Sequence, residues 1–528
     1  MIRNITLLCI ALGFKATLSA QPGTPDSDFD ADGLVVSPAP DGLTSMDIED
    51  LALQSDGSIV VVGDASGAGT NFGDIIVARY RPDGSWDNSF AGGDGYRLMD
   101  FANGSDRGWA IVVQPDDKIL VGGWGSYDED AVGKDFVIKR LLVNGGLDGT
   151  FDSDATQTID INGADDYLMD ILLRADAKIL MIGSATPEEG FDSDLAVVQL
   201  NTDGSLDATF SFDGIQRTSF SAGSYESAQK GALDGTGRLV VACEVDDLSG
   251  IVRYLPDGAL DASFSGDGKV LTDGLPSLRL SNLVIAQDNS IFAVGRDEEY
   301  DIVVAHVLVD GTLDPAYGNA GYVRVVRDIA QYPTGVQLQP NGRLIIVGFE
   351  QTGPTGEDWF MVRLLPDGSP DNGFGNEGWV VLDIGGQPNE QERAQGLVIQ
   401  PDNKILVGGS TDNPENGIIR PRFALARFLN DQWIGVVEFT TATTVLIYPN
   451  PVADRAEFTF ELKQEERLTA EIHDAQGKVV HTLFIGRISP PGQYRETVDL
   501  NGLAAGQYLL VLSNNTGSTT IKLTKKNP

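Results

Sequence analysis

Apolar residues along this chain fall in short runs ended by Gly, Asp, Asn or Pro, without the three-to-four spacing of a helix. The stretch from Ala110 to Gly123 is typical: AIVVQ, a polar break, then KILVGG. Two apolar runs joined by a two-residue turn read as a β-hairpin. A loop follows, then the strand DFVIKRLL from Asp135, an Asp-Gly or similar turn with an aromatic and a further Gly, and a short strand such as GYRLMDF from Gly95. Each such unit predicts four strands.

The unit repeats. QPDDKILVGG begins at Gln114 and QPDNKILVGG at Gln400, and weaker copies begin at Gln54, Arg174, Asp234, Ala286 and Gln339. The seven starts step by 60, 60, 60, 52, 53 and 61 residues, the signature of a repeat architecture. A lone twisted four-stranded sheet leaves both faces wet. Radial packing of such sheets buries them and leaves no long free edge. The expectation for residues 21–430 is a seven-bladed β-propeller.

A second ruler runs through the repeats. One strand of each carries a polar residue in a fixed slot: Arg79, Arg140, Gln199, Arg253, His306, Arg363 and Arg427. Eight residues after each of the first six stands an Asp, from Asp87 to Asp371, and three further on an aromatic, from Phe90 to Phe374. The aromatic is expected to wedge between blades, and the Asp to cap its turn or pair with the Arg. The seventh Arg has no such sequel. Asp26, Phe29 and Gly33 at the other end of the chain carry the missing spacing, which predicts that the N-terminal segment completes blade seven and closes the ring.

Charge changes the picture of partners. The chain has 77 acidic and 37 basic residues, a net charge of -40, which disfavours DNA or RNA binding. The first 20 residues hold Arg3, an apolar run from Ile5 to Phe14, and small residues ending at Ala20, the order of a secretory signal peptide. That run is too short to span a bilayer and no later stretch reaches about 20 apolar residues, so no transmembrane segment is expected. Cleavage would remove Cys9 and leave Cys243, excluding an intramolecular disulfide in the mature chain.

After about residue 430 the ruler stops. Residues 431–447 read as a linker. From 448 to 528 alternating runs such as EFTFEL, LTAEIHD and QYLLVLSN predict a small Ig-like β-sandwich. This tail, with YPNPVADRAEFTFEL, a DAQGK turn, GQYLLVL and IKLTKK, resembles the type A C-terminal sorting domain of the type IX secretion system. The residues carrying the match are Pro449, Asn450, Pro451, Gly506, Tyr508 and Lys522. The repeats resemble the delta-60 repeat, a β-propeller family of secreted bacterial proteins. The resemblance implies the type IX secretion machinery as a partner, with the product released or attached to the outer cell surface.

No catalytic set stands out. HExxH, CxxC and GxSxG are absent. Of three histidines, His306 occupies the framework slot and His473 and His481 lie in the tail. Cys243 stands where other copies have Gly and reads as a buried structural thiol. Asp28, Asp30 and Asp32 have the spacing that opens a calcium loop, but Ala39 stands where its bidentate Glu belongs. A closing turn is the first reading there, and bound Ca2+ the alternative; no other cofactor is expected.

The loop after the second strand is acidic in every blade. It includes Asp128, Glu129 and Asp130, Glu188 and Glu189, Asp246 and Asp247, Asp297, Glu298 and Glu299, and Glu357 and Asp358. Equivalent loops share one rim. They form either a solubilising surface or a face for cations, cationic partners or sugars. The reading is a secreted or cell-surface binding or scaffold module, with surface polysaccharide or an extracellular protein or glycan as its partner. The alternative is an extracellular glycan hydrolase or lyase using paired carboxylates.

Overall fold

A computed structural model describes residues 21–431 except 68–72, 102–103, 127–132, 162, 188–191, 273–277, 354–355, 387–389 and 416–417. In the tail it describes 446–526 except 449–451, 453–454, 463–465, 474–478, 504–505 and 515–517. The chain divides into two compact units, Met1–Asp431 and Gln432–Pro528. No α-helix occurs among the described residues.

The first unit is a ring of seven four-stranded antiparallel sheets, as the repeats predict. Blade one consists of Leu43–Leu53, Ile59–Gly67, Asp74–Tyr80 and Tyr96–Met99, ordered from the axis outward. The first strand is innermost, because residues from all seven first strands line one central cavity. The second strands are unbroken apolar runs for a physical reason. Each lies between two neighbouring blades, so Ile59, Val60, Val61 and Val62 are all fully buried on alternating faces. The cores therefore sit between blades: Val60, Val62, Ile75 and Val77 of blade one meet Ile119, Val121 and Val137 of blade two.

The hairpin turn is longer than its sequence suggests. Val113 pairs with Ile119, so residues 114–118 form the connection, not two residues. Asp117 donates its N–H to the Gln114 carbonyl, and Gln114 its N–H to the Lys118 carbonyl. Asp117 takes φ 63°, and Asn289 and Asn403 do likewise at the same place. This is a tight turn followed by one left-handed residue, which Asn and Asp tolerate better than most.

At that same end of the blades the second ruler becomes a staple. Arg253 donates from Nε to Asp261 Oδ2 at 2.8 Å, and its Cζ lies 4.5 Å from the Phe264 ring centroid. Its Nη1 reaches into the next blade, donating to the Val309 carbonyl at 2.6 Å. Arg79, Arg140 and Arg363 repeat the arrangement. Asp261 also caps its own turn, accepting from the Ser263 N–H and hydroxyl. Gln199 keeps the bond to Asp207 at 2.6 Å, with Lys178 supplying the charge. His306 sits between Asp314 and Ser290 and stacks on Phe292 at 4.3 Å, a framework role.

The ring closes through the N-terminal segment. Leu34–Val36 is the outermost strand of blade seven, pairing with Ile418–Phe428. Arg427 Nε donates to Asp26 Oδ2 at 2.7 Å, and its Cζ lies 4.6 Å from the Phe29 ring. Its Nη1 donates to the Pro82 carbonyl of blade one. Cys243 is fully buried, and burial pushes its thiol upward. Opposite it stands Gly250, where an added Cβ would lie 3.1 Å from the sulfur.

The second unit is a sandwich of a three-stranded and a four-stranded sheet. In Arg455–Leu462 the alternate residues Ala456, Phe458, Phe460 and Leu462 are buried, the period-two pattern of a sheet with one wet face. Gly506 opens the strand Gly506–Ser513, Tyr508 is buried in the core, and Lys522 lies on Ser518–Lys525. Pro449, Asn450 and Pro451 lie outside the described residues.

Candidate functional site

The two ends of each blade differ in kind. One end carries the constant turn and staple. At the other, the first two strands open onto the mouth of the central channel, and there the repeats stop resembling one another. A cross-strand pair occupies one register in every blade: Asp47 with Asp64, Arg107 with Trp124, Tyr167 with Ser184, Ser227 with Glu244, Arg279 with Arg296, Tyr332 with Phe349 and Arg393 with Ser410. No two pairs are alike.

These pairs assemble two aromatic stations. On blades five to seven, Tyr332 stacks on Phe349 with centroids 4.8 Å apart, and Tyr300 lies 5.5 Å from Tyr332. The Arg296 guanidinium lies 4.5 Å from the Tyr300 centroid and 5.0 Å from that of Tyr332. Arg393 lies 5.2 Å from the Phe349 ring and donates from Nε to Glu357 Oε2 at 2.6 Å. On blades two and three, Trp124 meets Tyr167 edge-on at 5.6 Å. Lys134 Nζ lies 5.1 and 4.8 Å from those rings and 2.8 Å from the Tyr167 hydroxyl.

One step deeper, every innermost strand carries a β-bulge at the same register, between Ile48 and Asp50 in blade one and Ala394 and Gly396 in blade seven. A bulge re-aims side chains, and here it turns unlike residues onto the axis. Lys230 Nζ lies 3.3 Å from Asp170 Oδ1 and 3.9 Å from Asp50 Oδ2, so blades one, three and four are braced across the channel. Gln395 Nε2 donates to Glu49 Oε2 at 3.2 Å, and Asn282 Nδ2 to the Thr334 carbonyl at 2.9 Å. The cavity of about 600 Å³ at this level is apolar towards the staple end, with Leu51, Ile111, Ile171 and Leu283 among its lining.

The acids of the mouth hold their protons tightly. Burial pushes the Glu49 carboxyl up to about 8, with Asp64 and Asp47 adding to it. Burial likewise raises Asp64 to about 7 against the pull of Arg107, whose Nε lies 3.4 Å from Asp64 Oδ2. Asp47 is raised by the same cause.

The acidic rim read from the sequence is present in part. Asp128, Glu129, Asp130, Glu188 and Glu189 lie outside the described residues. Asp246 accepts from the Tyr225 N–H, Asp297 is buried and pairs with Arg324, Glu299 pairs with Arg324, and Glu357 pairs with Arg393. Asp358 gathers with Asp383 and Glu392. Asp247 and Glu298 sit in the same loops. Of the closing turn, Asp32 accepts from the Leu34 N–H, and Asp30 donates its N–H to the Asp83 carbonyl. The inner-strand arginines and Tyr167, Tyr332 and Phe349 escaped the sequence reading. Comparing the residue seven before, and ten after, each repeat start would have found them.

The family model described as a domain of unknown function (DUF5122) β-propeller matches residues 54–90, 114–151, 174–210, 236–264, 339–374 and 400–431. The model described as a secretion system C-terminal sorting domain matches 446–526. Six blades of the ring carry DUF5122 repeats, and the tail is a type IX sorting domain. Blade five falls outside the six DUF5122 matches, and it is the blade whose staple uses His306 and Tyr317 in place of Arg and Phe. The sorting tail marks the DUF5122 ring for export, outside the cell or to its outer surface. No helix among the described residues is long and apolar enough to cross a membrane.

No curated protein matches the sequence. Among solved structures, a fungal alcohol oxidase in complex with copper is similar at 12% identity and a TM-score of 0.41, over 93% of this chain and 98% of that one. The polysaccharide lyase Uly1 is similar at 11% and 0.43, over 75% and 91%. An alpha-L-arabinofuranosidase from Fusarium graminearum is similar at 11% and 0.34, over 77% and 96%.

Proposed function

We propose that this protein is an exported binding module whose ring takes up a saccharide chain at the channel mouth. One observation carries the reading: the repeats are held constant at the staple end, while the seven cross-strand pairs at the mouth are all different. A ring used only for structure has no physical reason to diversify one end. Stacked aromatic faces beside guanidinium and carboxylate groups suit a sugar, which offers an apolar face and a rim of hydroxyls. The two stations, around Tyr332 and around Tyr167, suit successive units of a polymer.

The mature full chain, titrated calorimetrically with extracellular polysaccharides and their oligosaccharides, is expected to bind at least one saturably. Tyr332→Ala is expected to weaken that affinity roughly tenfold, the scale of one lost stacking contact at a mostly buried face. Equal affinity in the variant, or no binding to any glycan offered, overturns the reading.

A second reading rests on Glu49. A carboxyl still protonated near neutral pH, beside Asp64 and Asp47, is the equipment of a general acid in glycan cleavage. New reducing or unsaturated ends, produced by the wild type and lost in Glu49→Gln, distinguish cleavage from binding alone.

A further inference from the structure

The seams between blades hold charge that the channel mouth does not use. Asp135 is the second residue of the third strand of blade two, Asp160 directly follows its fourth strand, and Asp166 lies on the first strand of blade three. One carboxylate oxygen from each lies within 4.8 Å of the others. Asp135 and Asp166 are buried, Asp166 completely, while Asp160 is exposed. Asp166 Oδ2 accepts from the Ile161 N–H at 2.6 Å. Its Oδ1 is buried and accepts no hydrogen bond, so one oxygen of a fully buried carboxyl is left over. Unsatisfied buried acceptors are rare enough to need a partner.

We infer that Asp135, Asp160 and Asp166 form a calcium site that ties blade two to blade three. The donors are hard oxygens with no nitrogen or sulfur among them, which selects calcium or magnesium over transition metals. Oxygens on one calcium ion, each about 2.4 Å from it, stand at most about 4.8 Å apart, and the three oxygens here fall within that limit. Magnesium needs closer, octahedral packing and retains its waters. Exposed Asp160 gives the ion a way in, and backbone carbonyls and water complete the shell.

The repeat itself offers a comparison. Asp358, Asp383 and Glu392 occupy the same three positions at the seam of blades six and seven. There both Glu392 oxygens are engaged, by the Ile384 and Gly385 N–H groups and the Thr411 hydroxyl. At the seam of blades seven and one, the Asp slot holds buried Arg422, which donates to the Thr44 carbonyl, and the inner position holds Met46. At the seam of blades five and six, Arg324 pairs with Asp301 at 2.9 Å. Asp166 faces Asp135, Asp160 and Arg217, and burial with the first two acids nearby pushes it up to about 7. Two further carboxylates against a single guanidinium leave the seam in need of positive charge.

The test uses the mature full chain, stripped of metal by a chelator and heated with calcium chloride or magnesium chloride at pH 8. Calcium is expected to raise the wild-type Tm by at least about 2 °C and magnesium by less, with a calorimetric calcium isotherm that saturates. Asp166→Asn keeps the side-chain shape and removes the buried charge; exposed Asp160→Asn guards against a folding defect. Each is expected to lose most of the shift, while Asp32→Asn in the closing turn keeps it. No calcium shift in the wild type, or the same shift in Asp160→Asn and Asp166→Asn, overturns the inference.

Discussion

At the scale of single residues, the molecule depends on buried Arg–Asp pairs whose partners were written in the sequence as a fixed spacing of eight. That spacing was legible because the turn between the two residues cannot change length without separating them. What the Arg does next was not legible, since its reach to the following blade's turn crosses a variable distance in sequence. Arg253 is fully buried, and replacing it by Leu leaves Asp261 and the Val309 carbonyl short of a donor. Arg238 remains 3.3 Å from Asp261, so the expected loss is about 3 kcal/mol, the low end for breaking a buried pair. Arg253→Gln is expected to cost about 1 kcal/mol, because Gln199 already makes the equivalent bond in blade three. Denaturant unfolding of the two variants checks the ranking. The same groups set the acid limit. Burial works against charging Asp87 and Asp261, but hydrogen bonds from Ser89 and Ser263 and the paired arginines outweigh it and hold both below 3.8. Groups lowered on folding stabilise above their unfolded value, and that stability is lost as pH falls through the folded value. Glu49 at about 8, facing Asp64, Asp47, Arg107 and Lys230, and Asp166 at about 7 have the opposite sign. Their contribution is complete below the unfolded value and is lost progressively as pH rises from there through 7 to 8. The metal-free chain is therefore expected to show its highest Tm at about pH 4 to 5, falling below that range and again as pH rises towards 8. An unchanged Tm from pH 5 to 9 in chelator would contradict this assignment.

At the scale of elements, the sequence showed strands clearly and their irregularities poorly. Runs such as KILVGG stood out because strands buried on both faces are apolar throughout. The bulge in each innermost strand left no such mark. It adds one residue to one strand of a pair, and a short apolar run looks the same with or without it. Yet the bulge turns Glu49 and Gln395 towards the axis and sets Asp50, Asp170, Lys230 and Asn282 in the network that braces it. The hairpin connection was misjudged for a related reason, since Asp116-Asp117 resembles a two-residue turn until the register places Val113 opposite Ile119. The glycine that ends the KILVGG run was legible as a repeat but not as a constraint. A Cβ at Gly123 would lie 1.7 Å from the Arg107 carbonyl, so the close approach of the two inner strands depends on it. The acidic loops drew attention through their composition. The mouth is instead defined by which residue faces which across two strands, and that pairing becomes visible only when the repeats are stacked in register.

At the scale of the whole molecule, closure joins parts of the chain some four hundred residues apart, and it was legible because one end lacked what the other end had spare. Asp26 accepts from Arg427 and lies 2.9 Å from Lys404 Nζ, Phe29 is fully buried, and Leu34–Val36 covers the edge of the Ile418–Phe428 strand. Two contributions can be separated. Asp26→Asn removes the charge but keeps the strand and the aromatic; it is expected to lower the Tm while the protein keeps the wild-type mass in size-exclusion chromatography with light scattering. Deleting residues 21–37 removes all three. Blade seven then presents the unpaired edge of Ile418–Phe428 to solvent, and an open edge next to an apolar seam is a template for another chain. The deleted form is expected to self-associate into dimers or larger species at concentrations where Asp26→Asn does not. Restoring the missing segment as a separate peptide spanning 21–37 is expected to return it towards monomer, because the site the peptide fills is already shaped by blades seven and one. A deletion variant that stays monomeric and keeps the wild-type Tm would mean that blades one and seven hold the ring shut through their inner strands alone.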